Sequence, residues 1–472
     1  MAEKYNKVHM GEAKCGLDLG DGSERAEYVC QDYILHKLGR PHRCVNIMYT
    51  YYPKDAQWPK RISEACKNME ISFQWDYPYD DYFPYDAQGE PFEQMRDIRR
   101  HGQDVLLTLT IDCSLDDEEL RRVARQLKPF GRMRIRINHE CAGSWFTHNK
   151  RFSYKEVGEF FVRFHNIIKE EAPNVSTIFC AGFLKEDGSG VEYEEEFLEA
   201  YKAADIWSAD CYLALHYGWP YDVAEAGGGQ YKCDSVDGYY HKFENTAKRL
   251  ISLCGKKPMT TAEFNTDGDV TGAFVQGESV VRFARVFRDN HAEDWFKGIS
   301  MYQFRDRGRL GLEIEDPNNR AVGIEQPMLA EYKEVLHDPY FMPEMTSGEE
   351  VQFPAALRWG GAEDADGIEI PVAFEKTPEF CEITVEDKLA LMIEINGRWF
   401  YKDPEVKTID LMSAFYQNKL AGRQTLVVRL FATPADGENH DDGTADWNYN
   451  YRAEMKNPPV FRIRYEVPGK VG

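Results

Sequence analysis

No run of about 18 apolar residues occurs in the 472-residue chain, so nothing in it reads as a membrane-spanning helix. The first residues, Met1 to Lys7, lack the apolar stretch of an export leader. As written, the chain is expected to be cytoplasmic, or secreted if a leader has been removed. Positive charge is also short. Lys and Arg number 57 against 80 Asp and Glu, and the formal net charge of -23 repels polyanions. Nucleic acid and membranes are therefore not expected partners, nor are sulfated or uronic-acid polymers; a neutral polymer rich in hydroxyls is not repelled. The 11 cysteines are odd in number and form no CxxC spacing, so no disulfide framework is expected. Cys44, Cys180 and Cys211 fall inside strand-like runs and read as small buried hydrophobes.

Metal and cofactor signatures are missing as well. His139-Glu140 lacks the second histidine of a helical zinc motif, and no cluster has zinc spacing. The acidic turns at 265–269 and 441–446 carry oxygen ligands without the calcium-loop pattern, and read as solvated loops. Gly227 to Gly229 follow no strand and open no helix, as a phosphate loop must. No metal and no cofactor are expected, and no internal repeat is evident.

The sequence does contain two kinds of pattern in succession. From about residue 14 to 343, short apolar runs alternate with amphipathic segments, the signature of repeated βα units. Candidate strands fall at 15–19, 44–50, 71–77, 105–111, 133–139, 177–181, 206–212, 259–263 and 299–304. Nine is one too many for a (β/α)8 TIM barrel; 71–77 is the favoured outlier, with 15–19 the alternative. Ser153 and Glu156 form a capping-box pattern, and Val157, Phe160, Phe161, Phe164, Ile167 and Ile168 follow at helical spacing up to Pro173. A second such helix spans 239–254, and between it and Tyr212 lies a long irregular loop. Residues 346–350 read as a linker. Beyond them come short alternating runs, with Asn396-Gly397 as a hairpin turn. The expected organisation is a barrel over residues 1–345 followed by an antiparallel β-sandwich over 346–472.

The most informative run is Arg134 to Phe146. Ile135 and Ile137 share one strand face and Arg134, Arg136 and Asn138 the other, and the strand ends in Glu140, a small-residue turn and two aromatics. In a parallel barrel the C-terminal strand ends carry catalytic groups. A second short strand ends in Glu263, and these two acids sit on the fourth and seventh barrel strands by count. Glycoside hydrolysis needs one carboxyl to protonate the leaving oxygen and another to attack the anomeric carbon or activate water. Their environments must differ: the acid needs a raised pKa, and the nucleophile must stay ionised. With 27 Tyr, 27 Phe and 9 Trp there is ring surface enough for stacking on sugars. Trp75, Trp145 and Trp219 are candidate platforms, and His216 in the long loop a further candidate contact.

The run Arg136-Ile-Asn-His139-Glu140-Cys-Ala-Gly143-Ser-Trp145-Phe146 resembles the signature of family 26 glycoside hydrolases, within the large clan of retaining barrel enzymes. Agreement is at Arg136, His139, Glu140, Gly143, Trp145 and Phe146, and Ser208-Ala-Asp210-Cys-Tyr212 is similar to the family's pattern on the sixth strand. The resemblance implies Glu140 as acid/base, Glu263 as nucleophile, Tyr212 beside it, and His139, Arg136, Trp145 and Phe146 at the substrate. Tyr302 stands where many clan members place a tryptophan, and Ala142 replaces the family asparagine. The implied activity is a retaining endo-β-glycanase on β-1,4-linked polysaccharide, with mannan favoured over glucan or xylan. An exo-acting oligosaccharide glycosidase and a non-catalytic carbohydrate-binding protein are the rival readings. The sandwich is read as an accessory module that binds carbohydrate, supports the barrel or binds another protein.

Overall fold

The computed structural model describes residues 4–21, 27–54, 88–144, 146–217, 230–306, 308–417, 424–440 and 449–465. In chain order its first strands are β1 (Asn6–Met10), β2 (Gly16–Gly20), β3 (Cys44–Tyr51), β4 (Asp104–Ile111), β5 (Met133–Ile137), β6 (Val175–Cys180) and β7 (Ile206–Tyr212). A hairpin of β8 (Ala214–Tyr217) and β9 (Gln230–Cys233) follows, then β10 (Met259–Asn265) and β11 (Phe296–Met301). Strands β2 to β7, β10 and β11 close into an all-parallel eight-stranded barrel, β11 pairing back onto β2 through Gly298–Gly16 and Met301–Leu19. The ring is complete without segment 71–77, which lies outside the described residues, and 15–19 is the first barrel strand.

Alternation along each strand sorts residues between two environments. On β5, Ile135 and Ile137 join Phe160, Phe161 and Phe164 of helix Tyr154–Glu171 in the core between barrel and helices. Arg134 and Arg136 point the other way, into the barrel. That helix opens with the full capping box, Ser153 and Glu156 each satisfying the other's backbone N–H. The long loop after Tyr212 is a correction: its two ends pair as the β8–β9 hairpin, and the alternation of these four-residue arms is too brief to mark them as strands.

The C-terminal part is two antiparallel sheets enclosing a shared core. Asp364–Phe374, Gln424–Thr433, Ala390–Ile395 and Arg398–Lys402 build the larger, and Thr408–Asp410, Phe380–Thr384 and Val460–Arg464 the smaller. Cys381 and Ile383 of the small sheet pack on Ile370, Val428 and Ile393 of the large one. The expected Asn396-Gly397 turn is present, with φ of 49° and 82°. The linker expected at 346–350 is instead the edge strand Met345–Glu350, which pairs with β1; its polar, exposed side chains carry no alternating apolar signal. β1 also pairs with Asp364–Phe374, so the N-terminal segment belongs to the second sheet and the chain then enters the barrel.

The two units meet across a packed interface. Val8, Met10, Leu35, Trp359, Met392, Trp399 and Phe431 form one buried cluster. Arg99, fully buried, donates to Asp104 at 2.8 Å and to Asn439 Oδ1 at 3.0 Å, joining the barrel to the far end of the chain. Removing a buried indole leaves a large cavity, so Trp359→Ala is expected to cost about 3–5 kcal/mol. Chemical denaturation should show one transition shifted to lower denaturant. A variant that loses less than about 1 kcal/mol, or two separated transitions in the parent, would show that this interface does not couple the units.

Candidate active site

β5 ends at Ile137, and the chain then reverses tightly: Asn138 at φ 59° and Glu140 at φ 46° both occupy the left-handed region. Asparagine tolerates that region by bonding locally. Here its Oδ1 accepts the Ile111 amide at 2.9 Å and its own amide donates to the Leu109 carbonyl at 3.0 Å. Glu140 has no such compensation, and holding it there costs of order 1 kcal/mol. Surrounding bonds impose it. The Cys141 amide donates to the Cys180 carbonyl at 2.9 Å and the Gly143 amide to the Glu140 carbonyl at 2.7 Å. Asn149 Nδ2 donates to the carbonyls of Cys141 and Gly143 at 2.8 and 2.7 Å.

Beneath this turn lies Arg136, with no exposed surface. Its Nη1 donates to Glu263 Oε1 at 2.6 Å, and its Nη2 to Asp210 Oδ2 at 2.5 Å and Cys180 Sγ at 3.2 Å. His139 Nε2 stands 2.7 Å from Glu263 Oε1 and 3.9 Å from Asp210 Oδ2. The Tyr212 hydroxyl donates to Glu263 Oε2 at 2.6 Å, so both carboxylate oxygens of Glu263 are held. Glu263 comes from β10, the seventh barrel strand, and Glu140 follows β5, the fourth.

Burial disfavours every charge here, and neighbours decide each outcome. For Glu263 burial is outweighed by the charges of His139 and Arg136 and by hydrogen bonds from His139 and Tyr212, which hold it far below the usual carboxylate range. Glu140 is driven the other way: burial, then the negative charges of Asp210 and Glu263, push it up to about 8 against the pull of His139. Burial, with Glu263, also raises Asp210, although Arg136 opposes this. His139 resists burial because Glu263 is beside it, and is pushed up to about 9. Two cations thus face three carboxyls. One proton shared between Glu140 and Asp210, whose carboxyl oxygens come within 4.8 Å of each other, leaves the cluster neutral.

Behind His139 the rings of Phe146 and His148 continue a stack, with centroids 4.6 and 5.6 Å apart in turn. His148 is buried, and burial together with the His139 charge pushes it down to about 3, so it is neutral. Tyr302 sets its ring edge-on to Tyr212 at 5.8 Å. Arg136, His139, Glu140, Phe146, Tyr212, Glu263 and Tyr302 are therefore brought into one site. Trp75, Trp145 and Trp219 lie outside the described residues, as does the side chain of His216, whose backbone is in β8. Asp210, in the motif on the sixth strand, is the functional residue that the sequence reading leaves without a role; it lies two residues before Tyr212 on the same strand face, which is the signal that assigns it to the site. Beside the Glu140 turn a cavity of about 700 Å³ is lined by Ala142, Ser144, Lys185 and the acidic run from Glu192 to Glu196.

Among the described residues, His139, Glu140 and Asp210 place three donor atoms within 4.8 Å of one another. That is close enough for a metal ion, but Arg136 already lies on Asp210 and the charged His139 on Glu263. A dication would have to displace both interactions, and the donors fit proton sharing better than coordination. The acidic turn at 265–269 is committed too: Asp267 caps the following turn by accepting the Asp269 amide at 2.8 Å, and Asp269 pairs with Arg309 at 3.0 Å.

No protein-family model matches the chain, and no curated protein does. Among solved structures, similarity extends to a family 39 glycoside hydrolase from the gut symbiont Bacteroides cellulosilyticus WH2, at 12% identity and a TM-score of 0.42 over 89% of this chain and 81% of that one. A modular endo-beta-1,4-mannanase from Cellulomonas fimi aligns at 10% identity and 0.44 over 94% of each chain. A glucosidase from Croceicoccus marinus aligns at 11% and 0.45, over 92% of this chain and 99% of that one. At these identities and scores the likeness names no family and assigns no residue.

The Glu140 proton makes a prediction about stability. A carboxyl raised from the ordinary value of 4.5 to about 8 on folding contributes stability that is full below about pH 4.5 and lost as pH rises through 8. Glu140→Gln is neutral at every pH. Its melting temperature relative to the parent should therefore climb across that window and level off above it. A difference that stays constant from pH 5 to 9 would remove Glu140 as the proton holder.

Proposed function

We propose that the protein is a retaining glycoside hydrolase, with Glu140 as acid/base and Glu263 as nucleophile. The observation that carries this reading is that two glutamates at the ends of the fourth and seventh barrel strands share one buried site while their pKa values are pushed in opposite directions. That is the division of labour that glycosidic cleavage needs.

In the proposed first step, a Glu263 oxygen attacks the anomeric carbon while the bond to the leaving oxygen breaks and Glu140 delivers its proton there. Arg136 and Tyr212 each hold one Glu263 oxygen, restricting how the carboxylate can turn and so the direction of attack. Once Glu263 becomes an ester its negative charge is gone. That charge is one of the influences raising Glu140, so Glu140 stays a carboxylate until water arrives, and then takes the water's proton as base. The same residue thus serves both half-reactions because its partner's charge changes between them.

The substrate class we propose is a neutral β-1,4-linked polysaccharide or its oligosaccharides, mannan first and glucan or xylan next. The net charge of -23 disfavours polyanionic polymers, and the motif from Arg136 to Phe146 supports the mannan preference. The C-terminal sheets are proposed to brace the barrel, a reading supported by the buried cluster around Trp359.

Reducing-sugar release should be measured on mannan, glucomannan, mixed-linkage β-glucan, carboxymethyl cellulose and xylan. We expect release on at least one, lowered roughly 10³-fold by Glu140→Ala or Glu263→Ala. Azide should restore turnover of an activated aryl glycoside by Glu263→Ala, giving a product of inverted configuration. No release from any polymer or oligosaccharide would leave a carbohydrate-binding protein. With an active substrate in hand, kcat/KM should fall as pH rises through about 8, where Glu140 loses its proton. An alkaline limb unchanged by substrate and lying below pH 6 would exclude Glu140 as the acid.

A further inference from the structure

A second cluster of charge lies on the opposite side of the barrel. Helix Gln31–Leu38 ends at Gly39 (φ 87°), and the chain from there leads to the N-terminal end of β3, the face away from Glu140. Helix Met328–Leu336 ends beside it: Arg40 donates to the carbonyls of Leu336 and Phe341. The Asn396-Gly397 turn of the large C-terminal sheet packs against both ends. Between them is a cavity of about 380 Å³ lined by Lys37, Leu38, Gly39, Lys333, His337, Gly397 and Arg398. In a chain of net charge -23, every ionisable side chain lining this cavity is basic.

Arg398 is the decisive member. It is 93% buried, 7% of its surface remaining exposed. Its Nη2 donates to the His36 carbonyl at 2.9 Å, its guanidinium lies 5.9 Å from the Phe400 ring, and its Nε is buried with no hydrogen-bond partner. No carboxylate among the described residues pairs with it, and burial alone holds it below its ordinary range. Lys333 is likewise lowered, by burial and by Arg398 and Lys37, with Glu325 opposing. Its ammonium makes no ion pair among the described residues. Lys37 is shared with Glu325 at 3.2 Å and Glu313 at 3.7 Å, and His337, at the rim, bonds the Lys333 carbonyl through Nδ1 at 2.9 Å. The helix carbonyl ends account for part of this positive charge. They leave the buried Arg398 guanidinium and the half-buried Lys333 ammonium without a carboxylate partner among the described residues, and a buried cation without an anion is expensive.

We propose that this cavity binds a phosphate-class oxyanion, which accepts from the Arg398 guanidinium and from Lys333 and ties the hairpin of the C-terminal sheet to the base of the barrel. A tetrahedral dianion brings twice the charge of a carboxylate to these two cations, and further oxygens for Lys37 and His337 at the rim. The cavity is roomier than one such ion requires, so the phosphate arrives either free or as a monoester carrying a small organic group.

Calorimetric titration of the full chain with inorganic phosphate and, separately, with glycerol 3-phosphate tests this, at ionic strength held constant with sodium chloride. Saturable binding is expected for at least one probe. Lys333→Gln, which removes no hydrogen bond of the fold, should weaken it roughly tenfold, as loss of one charge-assisted bond implies. Arg398→Gln should weaken it at least as much if it folds. Tighter binding of the ester identifies a phosphorylated metabolite as the ligand, and equal binding identifies free phosphate. No saturable heat with either probe, or unchanged affinity in Lys333→Gln, overturns the proposal.

Discussion

The site depends on one buried guanidinium. Arg136 is an interior residue of a barrel strand, and its charge survives burial only because Glu263 and Asp210 each accept a hydrogen bond from it. The arrangement works in both directions. Without Arg136, three carboxyls would share a confined space with a single imidazolium, and mutual repulsion would protonate more than one of them. With it, the deficit is a single proton, and geometry decides where that proton resides. Glu263 touches Arg136, His139 and Tyr212, whereas Glu140 touches Asp210. The ionised acid and the protonated acid are therefore set apart by their neighbours, not by their own chemistry.

The same strand serves the two ends of the barrel. Two residues before Arg136, Arg134 donates to Cys44 Sγ at 3.0 Å and lies 3.6 Å from Asp18. Asp18 in turn receives two bonds from Arg43, at 2.8 and 2.6 Å. The interior of this barrel thus carries ion pairs beside only a small apolar group, Cys44, Leu106, Ile178 and Ile206, where a structural barrel would carry successive branched aliphatic layers. Such a filling is a poor source of stability, since each charge loses its water. It does give fixed dipoles and charges that need no reorganisation during a reaction, which is the property an active site requires. The apolar contribution is displaced outward, to the layer between strands and helices and to the interface with the C-terminal sheets.

Much of this was legible in sequence because it is written in local periods. The eight barrel strands and the helix after Ser153 follow from alternation and helical spacing. The positions of Glu140 and Glu263 follow from strand ends, and the Asn396-Gly397 turn from the left-handed conformations those residues tolerate. What escaped notice depends on distant partners. Met345–Glu350 is a polar edge strand and β1 a five-residue one, and each is placed only by the strands it pairs with. Cys180 reads as a small hydrophobe from its strand, yet its sulfur meets Arg136 of the neighbouring strand. Asp210 stands in a recognisable motif, but its hold on the Glu140 proton arises only when the fourth and sixth βα units are brought together in the closed ring. His148, which carries no signal of its own in the sequence, extends the stack on His139 through Phe146.

The strained backbone at Glu140 ties these observations together. A glutamate on a regular strand end would project along the barrel wall, with its carboxyl open to water and its pKa near the ordinary value. At φ 46° the side chain meets Asp210 and keeps only part of its surface in solvent. The conformation is unfavourable, and so is a buried carboxyl above a negative neighbour; both costs fall on the one residue proposed to give up a proton. Asn138, Asn149 and the Cys141–Cys180 backbone bond hold the turn without touching the carboxyl. The acidity of Glu140 is consequently a property of the fourth βα turn as a whole. A barrel that kept both glutamates but lost Asn149 or Asn138 would be expected to keep an ionised Glu263 and lose its acid.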